Sequence, residues 1–376
     1  MRYLLRTMAV SALSVYALQG CKPHKAEPVQ ISASAAAVQK SKSECYRNSV
    51  PAGMPFDYNL WGGEKACKSD TCAPAPALLP ETKVKIDAFE KNLPLPAPEA
   101  LPADEKQMES YLHSAEKNGS LTWVGRDNRE IYRTVQSEID FSSPGQDLHL
   151  IFGTTHFIKE HPALFNDILN NTNGISAVAL EYSRFGANGF DYQSSLDKYL
   201  MASSDEFGFS LISNSSNVQD QEVEERSRTL RLGREKCLNV IFSEPKASEA
   251  ERIKDRLGKY YWIEARDISA VRAAGQRLDP GRKNVVAWER GAGHISLPGL
   301  INASDPNAKA VTFIVNGGAY VSGLAFDRVL KNMGWLERSF VLKVNGYYIL
   351  HLPTAGREMD IIPRSSNAVV RETYSR

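Results

Sequence analysis

The stretch Leu148-His149-Leu150-Ile151-Phe152-Gly153-Thr154-Thr155-His156 decides the fold. An apolar run with almost no polar alternation ends at a glycine and small polar residues, which reads as a strand covered on both faces. Leu164, Ile168 and Leu169 follow Phe157 at helical spacing, so a helix packs back on that strand. The same grammar recurs further along. Ile175 to Leu180 is a second apolar strand ending at Glu181, Val285 to Trp288 a third leading into Glu289-Arg290-Gly291-Ala292-Gly293-His294, and Val311 to Val315 a fourth.

Between these strands the charges fall on helices. One helical region spans about Val218 to Phe242 and another Ser248 to Leu257, while Arg266-Asp267 opens a helix through Ala274 and Leu278 that Asp279-Pro280-Gly281 stops. Phe340 to Val344 and Tyr347 to Leu352 flank Asn345-Gly346, a type I′ hairpin signal. Strands alternating with helices and a late hairpin predict an α/β domain, with a mixed central sheet flanked by helices, over residues 108–364, followed by a tail at 365–376.

The first residues have a different character. Arg2 and Arg6 precede an apolar stretch from Met8 to Leu18, then Gln19, Gly20 and Cys21, the order of a secretory signal peptide over residues 1–20. That stretch is too short for a bilayer helix, which needs roughly 20 apolar residues. Leu18-Gln19-Gly20-Cys21 resembles the lipobox of bacterial lipoproteins, which implies cleavage before Cys21, a lipid on that cysteine, and a periplasmic or surface-facing place in the cell envelope. Plain secretion with a free Cys21 is the other reading. Residues 21–44, rich in Lys, Ser and Ala, read as a flexible tether. Residues 45–107 form a cysteine-bearing and Pro-rich extension whose Ala-Pro-Ala-Pro-Ala run favours an extended connector.

Composition narrows the partners. The 376 residues carry 45 basic and 44 acidic side chains, a net charge of +1, so no charge excess points to nucleic acid, and no later segment is apolar enough to span a membrane. Attachment then rests on the lipid alone. Beyond Cys21 stand Cys45, Cys67, Cys72 and Cys237, an even number that suggests disulfides in an oxidising compartment, with Cys67–Cys72 the favoured pair. Their spacing is not C-x-x-C and no histidine is near, which disfavours structural zinc.

Two G-x-x-H tetrads occur, Gly153 to His156 and Gly291 to His294. Composition alone yields ~0.5 such tetrads by chance, so position must carry the argument. Each directly follows a buried strand, and ligands of open α/β sheets gather beyond the carboxyl ends of strands. Glu181 also ends such a strand. His156, Glu181 and His294 would therefore meet on one rim if their strands are neighbours. Imidazoles with a carboxylate either hold a divalent metal that acidifies water or work without metal, one imidazole acting as base, and either route hydrolyses an ester or amide. Arg266 would bind a substrate carboxylate or steady an oxyanion.

The ordered set Gly153-Thr-Thr-His156, Ala179-Leu-Glu181-Tyr182, Arg266-Asp267 and Gly291-Ala-Gly-His294, followed by Leu297-Pro298-Gly299-Leu300, resembles the superfamily of TraB and Tiki proteins, erythromycin esterases and ChaN-like haem-binding lipoproteins. It covers about residues 146 to 335. The resemblance implies that His156, Glu181 and His294 line the pocket. By the Tiki likeness they would ligate a divalent metal (Mn, Co or Zn) in a peptidase; by the esterase likeness they would hydrolyse a peptide, ester or other small substrate without one. By the ChaN likeness the chain would bind haem and catalyse nothing, and an interaction lipoprotein with a vestigial pocket is a further alternative.

Structural readings stand beside these. Either histidine alone serves equally well as a strand-end cap bonded to backbone, and Arg266 as a surface residue paired with Asp267 or Glu264. Glu289 is either a second pocket carboxylate or a salt-bridge partner of Arg290 or Arg266. Tyr182 and Arg184 are candidate pocket linings, His149 and His351 read as strand residues, and His113 and His161 fit no usable spacing.

Overall fold

The computed structural model describes residues 101–155, 158, 160–183, 196–197, 220–244, 262–275, 277–279, 282–316 and 323–353. Eight strands form one mixed sheet: β1 (Leu121–Trp123), β2 (Leu148–Thr154), β3 (Ala177–Ser183), β4 (Asn239–Glu244), β5 (Val285–Gly291), β6 (Lys309–Val315), β7 (Phe340–Val344) and β8 (Tyr347–His351). Their order is β1-β7-β8-β6-β2-β5-β3-β4. The pairs from β8 through β6, β2, β5 and β3 to β4 are parallel, and β7 runs against both β1 and β8.

Among the described residues seven helices cover the sheet: α1 (Glu105–Asn118), α2 (Arg129–Asp140), α3 (Glu160–Asn171), α4 (Asp220–Glu235), α5 (Trp262–Gly275), α6 (Leu297–Ser304) and α7 (Gly323–Asn332). Strand alternation sorts the core into two faces. Leu148, Leu150 and Phe152 of β2 pack with Val135 of α2, Phe165 and Ile168 of α3 and Leu230 of α4. Ile151, pointing the other way, packs with Trp288 of β5, Ala270 and Ala274 of α5 and Leu297 and Ile301 of α6. Every residue of β2 and β5 is buried, which is why both read as apolar runs.

Several expected boundaries moved. The helix predicted through Phe242 ends at Glu235, and Asn239–Glu244 is instead a strand. Cys237 breaks the helix at φ 59°, and the apolar Val240-Ile241-Phe242 that follows is buried in the sheet. The helix expected to open at Arg266-Asp267 begins at Trp262, so both residues lie in its second turn rather than at its start. The Asn345-Gly346 hairpin forms as predicted with Val344 opposite Tyr347, yet only Gly346 has positive φ (88°), so the turn is not type I′, which needs positive φ at both positions. The leader, the tether, Cys21, the Cys67–Cys72 pair, the helix at Ser248 to Leu257 and the tail lie outside the described residues. Cys237 is disulfide-bonded. No helix among the described residues is long and apolar enough to cross a membrane.

Candidate functional site

β5 lies between β2 and β3, so the strand ends carrying both tetrads and Glu181 are neighbours, as the sequence required. Thr154 pairs with Gly291, and Leu180 with Glu289. The chain leaves β2 for α3 on one face of the sheet and leaves β5 for α6 on the other. Adjacent strands whose exits part in this way open a crevice at their carboxyl ends, the usual ligand position of such sheets.

Close backbone approach explains the first glycine. A Cβ on Gly153 would stand 2.8 Å from Ile314 Cδ1 and 3.4 Å from Ala292 Cα. The two tetrads are stitched together here, since the Ala292 N–H donates to Thr154 O at 2.7 Å. His161 holds the next residue: its Nδ1 accepts from the Thr155 N–H at 2.9 Å. Burial drives this imidazole down to about 4, so it is the neutral acceptor that the bond needs. His156 itself lies outside the described residues.

The second tetrad ends in a buried charge network. His294 Nδ1 is 2.5 Å from Asp267 Oδ1, and its Nε2 is 3.2 Å from Glu181 Oε1. Both ring nitrogens therefore face carboxylates. Asp267, fully buried, also accepts from Ser296 Oγ at 2.7 Å and faces Arg290 Nη2 at 3.4 Å. Glu181 Oε1 accepts from Arg266 Nη2 at 2.5 Å, and its Oε2 from the Gly291 N–H at 2.6 Å. Arg266 Nε donates to Glu244, whose other oxygen accepts from Arg290 Nη1 at 3.0 Å.

Charge counting shows what state His294 prefers. Among the described residues that pair directly, three carboxylates (Glu181, Glu244, Asp267) face two guanidiniums (Arg266, Arg290), an excess of one negative charge that a protonated imidazole offsets. Burial by itself would lower the His294 pKa, and it is the largest single effect. The carboxylates of Asp267 and Glu181 together overcome it and hold the ring at about 9. Burial likewise works to raise Asp267, but His294, Arg290 and the Ser296 hydroxyl keep its carboxyl below the ordinary value.

Of the three candidate metal ligands, Glu181 and His294 are engaged with other groups, and His156 lies outside the described residues. The Glu181 oxygen nearest His294 is already shared with the Arg266 guanidinium, its second oxygen is taken by a backbone N–H, and a ligating imidazole must give up the proton that two carboxylates here retain. Among the described residues no group of three or more His, Cys, Asp or Glu side chains is placed to hold a metal.

Glu181, His294 and Arg266 are thus brought together, while Arg184 and Cys21 lie outside the described residues. Arg266 pairs with Glu181 and Glu244 rather than with Asp267 or Glu264. Glu289 is neither a partner of Arg290 nor of Arg266. Alternation along β5 turns Glu289 and Arg290 to opposite faces, and Glu289 meets Arg226 of α4 at 3.4 Å, whose Nη1 also donates to Tyr182 Oη at 2.6 Å. Tyr182 therefore belongs to that second buried pair, on the face away from His294. His149 and His351 are strand residues, as read.

Sequence reasoning missed Asp267 and Arg290 as members of the His294 network, and Glu244 altogether. Glu244 carried a usable signal, because it ends a strand next to β3 just as Glu181 nearly does, but that strand was hidden inside a predicted helix. Comparisons of the chain with protein-family models, with curated proteins and with solved structures found no match.

Proposed function

We propose that the protein is a hydrolase of ester or amide bonds that works by acid–base chemistry at the crevice beyond β2, β5 and β3, on a domain tethered to a bacterial membrane through a lipid on Cys21. The observation that carries this reading is the Asp267–His294–Glu181 line, in which one buried imidazole is flanked by two carboxylates at 2.5 and 3.2 Å. Such an arrangement sets a proton donor and a proton acceptor side by side, the requirement for moving a proton onto one atom and off another. The likeness to the TraB, Tiki and erythromycin esterase group supports the same chemistry.

In this account Glu181 takes the proton of a water as its oxygen bonds to the substrate carbonyl carbon. His294, protonated at neutral pH, gives its Nε2 proton to the oxygen or nitrogen that leaves as the oxyanion collapses, and Glu181 then returns the water's proton to Nε2 across their 3.2 Å contact. Asp267 keeps the ring oriented and charged, and Arg266 fixes Glu181 while offering positive charge to the developing oxyanion. His156, outside the described residues, is the remaining candidate from the sequence.

Purified protein assayed against a panel of esters and acylated amides is the test. Glu181→Gln and His294→Gln are each expected to lower turnover ~10²- to 10⁴-fold, the usual contribution of a positioned acid or base. Panel-wide turnover that is equal in the parent and both variants contradicts the proposal. Elemental analysis of the same preparations decides the divalent-metal alternative, and a Soret band on haem titration would favour the haem-binding one.

A further inference from the structure

A cavity of about 1100 Å³ lies at the opposite end of the sheet, walled by α5 and α6 beside the amino ends of β2 and β5. His149 pairs with Val286, four strand residues or roughly 13 Å before Arg290, and although Ile268 at the cavity's edge directly follows Asp267, no member of the His294 cluster lines the cavity. It is therefore distinct from the site described above.

His149 of β2 lines this cavity and is only 7% exposed. The Trp288 indole N–H donates to its Nδ1 at 3.0 Å, which puts the ring proton on Nε2. Burial, opposed only in part by Asp147 and Asp305, lowers this histidine to about 4, so the ring is a neutral donor at physiological pH. Among the described residues no group accepts from Nε2. This N–H opens on the cavity, where a guest's acceptor can take the place of the water it otherwise meets.

The walls indicate what that is. Ile268 and Val271 of α5 and Leu300 and Ile301 of α6 supply apolar surface. Arg272, Arg282 and Lys283 are offset by Asp147, Asp279 and Asp305, three against three, so neither an anion nor a cation finds a field of one sign. A neutral donor, apolar walls and balanced charge together select an uncharged guest, and the volume suits a whole small molecule. We propose that this cavity binds an uncharged, carbonyl-bearing small molecule with an apolar body, of the amide or lactone class, whose carbonyl oxygen accepts from His149 Nε2–H.

N-acetyl-leucine methylamide is a suitable probe, titrated into the full chain carrying ¹⁵N-tryptophan. The Trp288 indole resonance, assigned by Trp288→Phe, is expected to shift saturably, because its partner ring contacts the probe. Calorimetry then compares variants. His149→Phe, which keeps a flat ring and removes the donor, should weaken binding ~10-fold, the effect of losing one hydrogen bond. Ala303→Trp, on the exposed wall, should weaken it by obstruction without touching the core, which keeps the test open if His149→Phe does not fold. His294→Gln should leave the affinity unchanged, separating this site from the proposed hydrolytic one. An unshifted Trp288 resonance up to the solubility of the probe, or equal affinity in the parent, His149→Phe and Ala303→Trp, overturns the proposal.

Discussion

His294 and Asp267 meet at 2.5 Å between the loop after β5 and the second turn of α5, with Asp267 fully buried. Because Asp267 has no access to water, the imidazole opposite is its main solvent. Asp267→Asn keeps the shape and removes the charge. The His294 pKa should fall in that variant, and folding should weaken by ~3–5 kcal/mol, the cost of leaving buried cations without their counter-charge. Urea unfolding measures the second effect. A loss under 1 kcal/mol would mean that the pair contributes little.

Stability should depend on alkaline pH with a definite sign. The folded pKa of His294, about 9, lies above the ordinary imidazole value near 6.5, so its stabilising effect is complete below pH ~6.5 and fades as pH rises through 9. The shift corresponds to roughly 3 kcal/mol. Unfolding curves between pH 6.5 and 9.5 should show this decline in the parent, and much less of it in His294→Gln. Identical slopes would remove His294 as the cause.

The crowding around Gly153 makes a packing prediction. Gly153→Ala places a Cβ 2.8 Å from Ile314 Cδ1, so the side chain must shift, and ~1–3 kcal/mol of stability should be lost. Ile314→Val removes the offending carbon. The double variant should therefore recover part of the loss, read as a positive coupling in a double-mutant cycle; simple additivity would show that the contact with Ile314 is not the cause.

Cys237 should resist alkylation in the folded or denatured protein until a reductant is added, since it is disulfide-bonded. Mass mapping of the linked peptide identifies its partner. Ready alkylation without reductant would contradict the bond, and with it the expectation of an oxidising compartment.

Much of this fold was legible because parallel strands buried on two faces leave long apolar runs, and Leu148 to Phe152, Val285 to Trp288 and Val311 to Val315 are such runs. The strand at Asn239–Glu244 was not, because it follows a charged helix with only Cys237 at positive φ to mark the break, a conformation no residue type other than glycine announces. At the site, Glu181 and His294 were visible as titratable groups just past apolar strands. Their register was not, since strand order is set by long-range pairing that local pattern does not encode. Asp267 was in view as half of Arg266-Asp267, but which of two adjacent helical residues points to His294 depends on where the helix begins, and that boundary lay four residues upstream of the expected one.

The account rests on a buried imidazolium, so the most direct measurement is an NMR titration of the His294 ring, with ¹⁵N shifts reporting both nitrogens and His294→Gln supplying the assignment. Two protonated ring nitrogens at pH 7 and a midpoint near 9 are the predicted result. A neutral ring at pH 7, with a single protonated nitrogen, would contradict it.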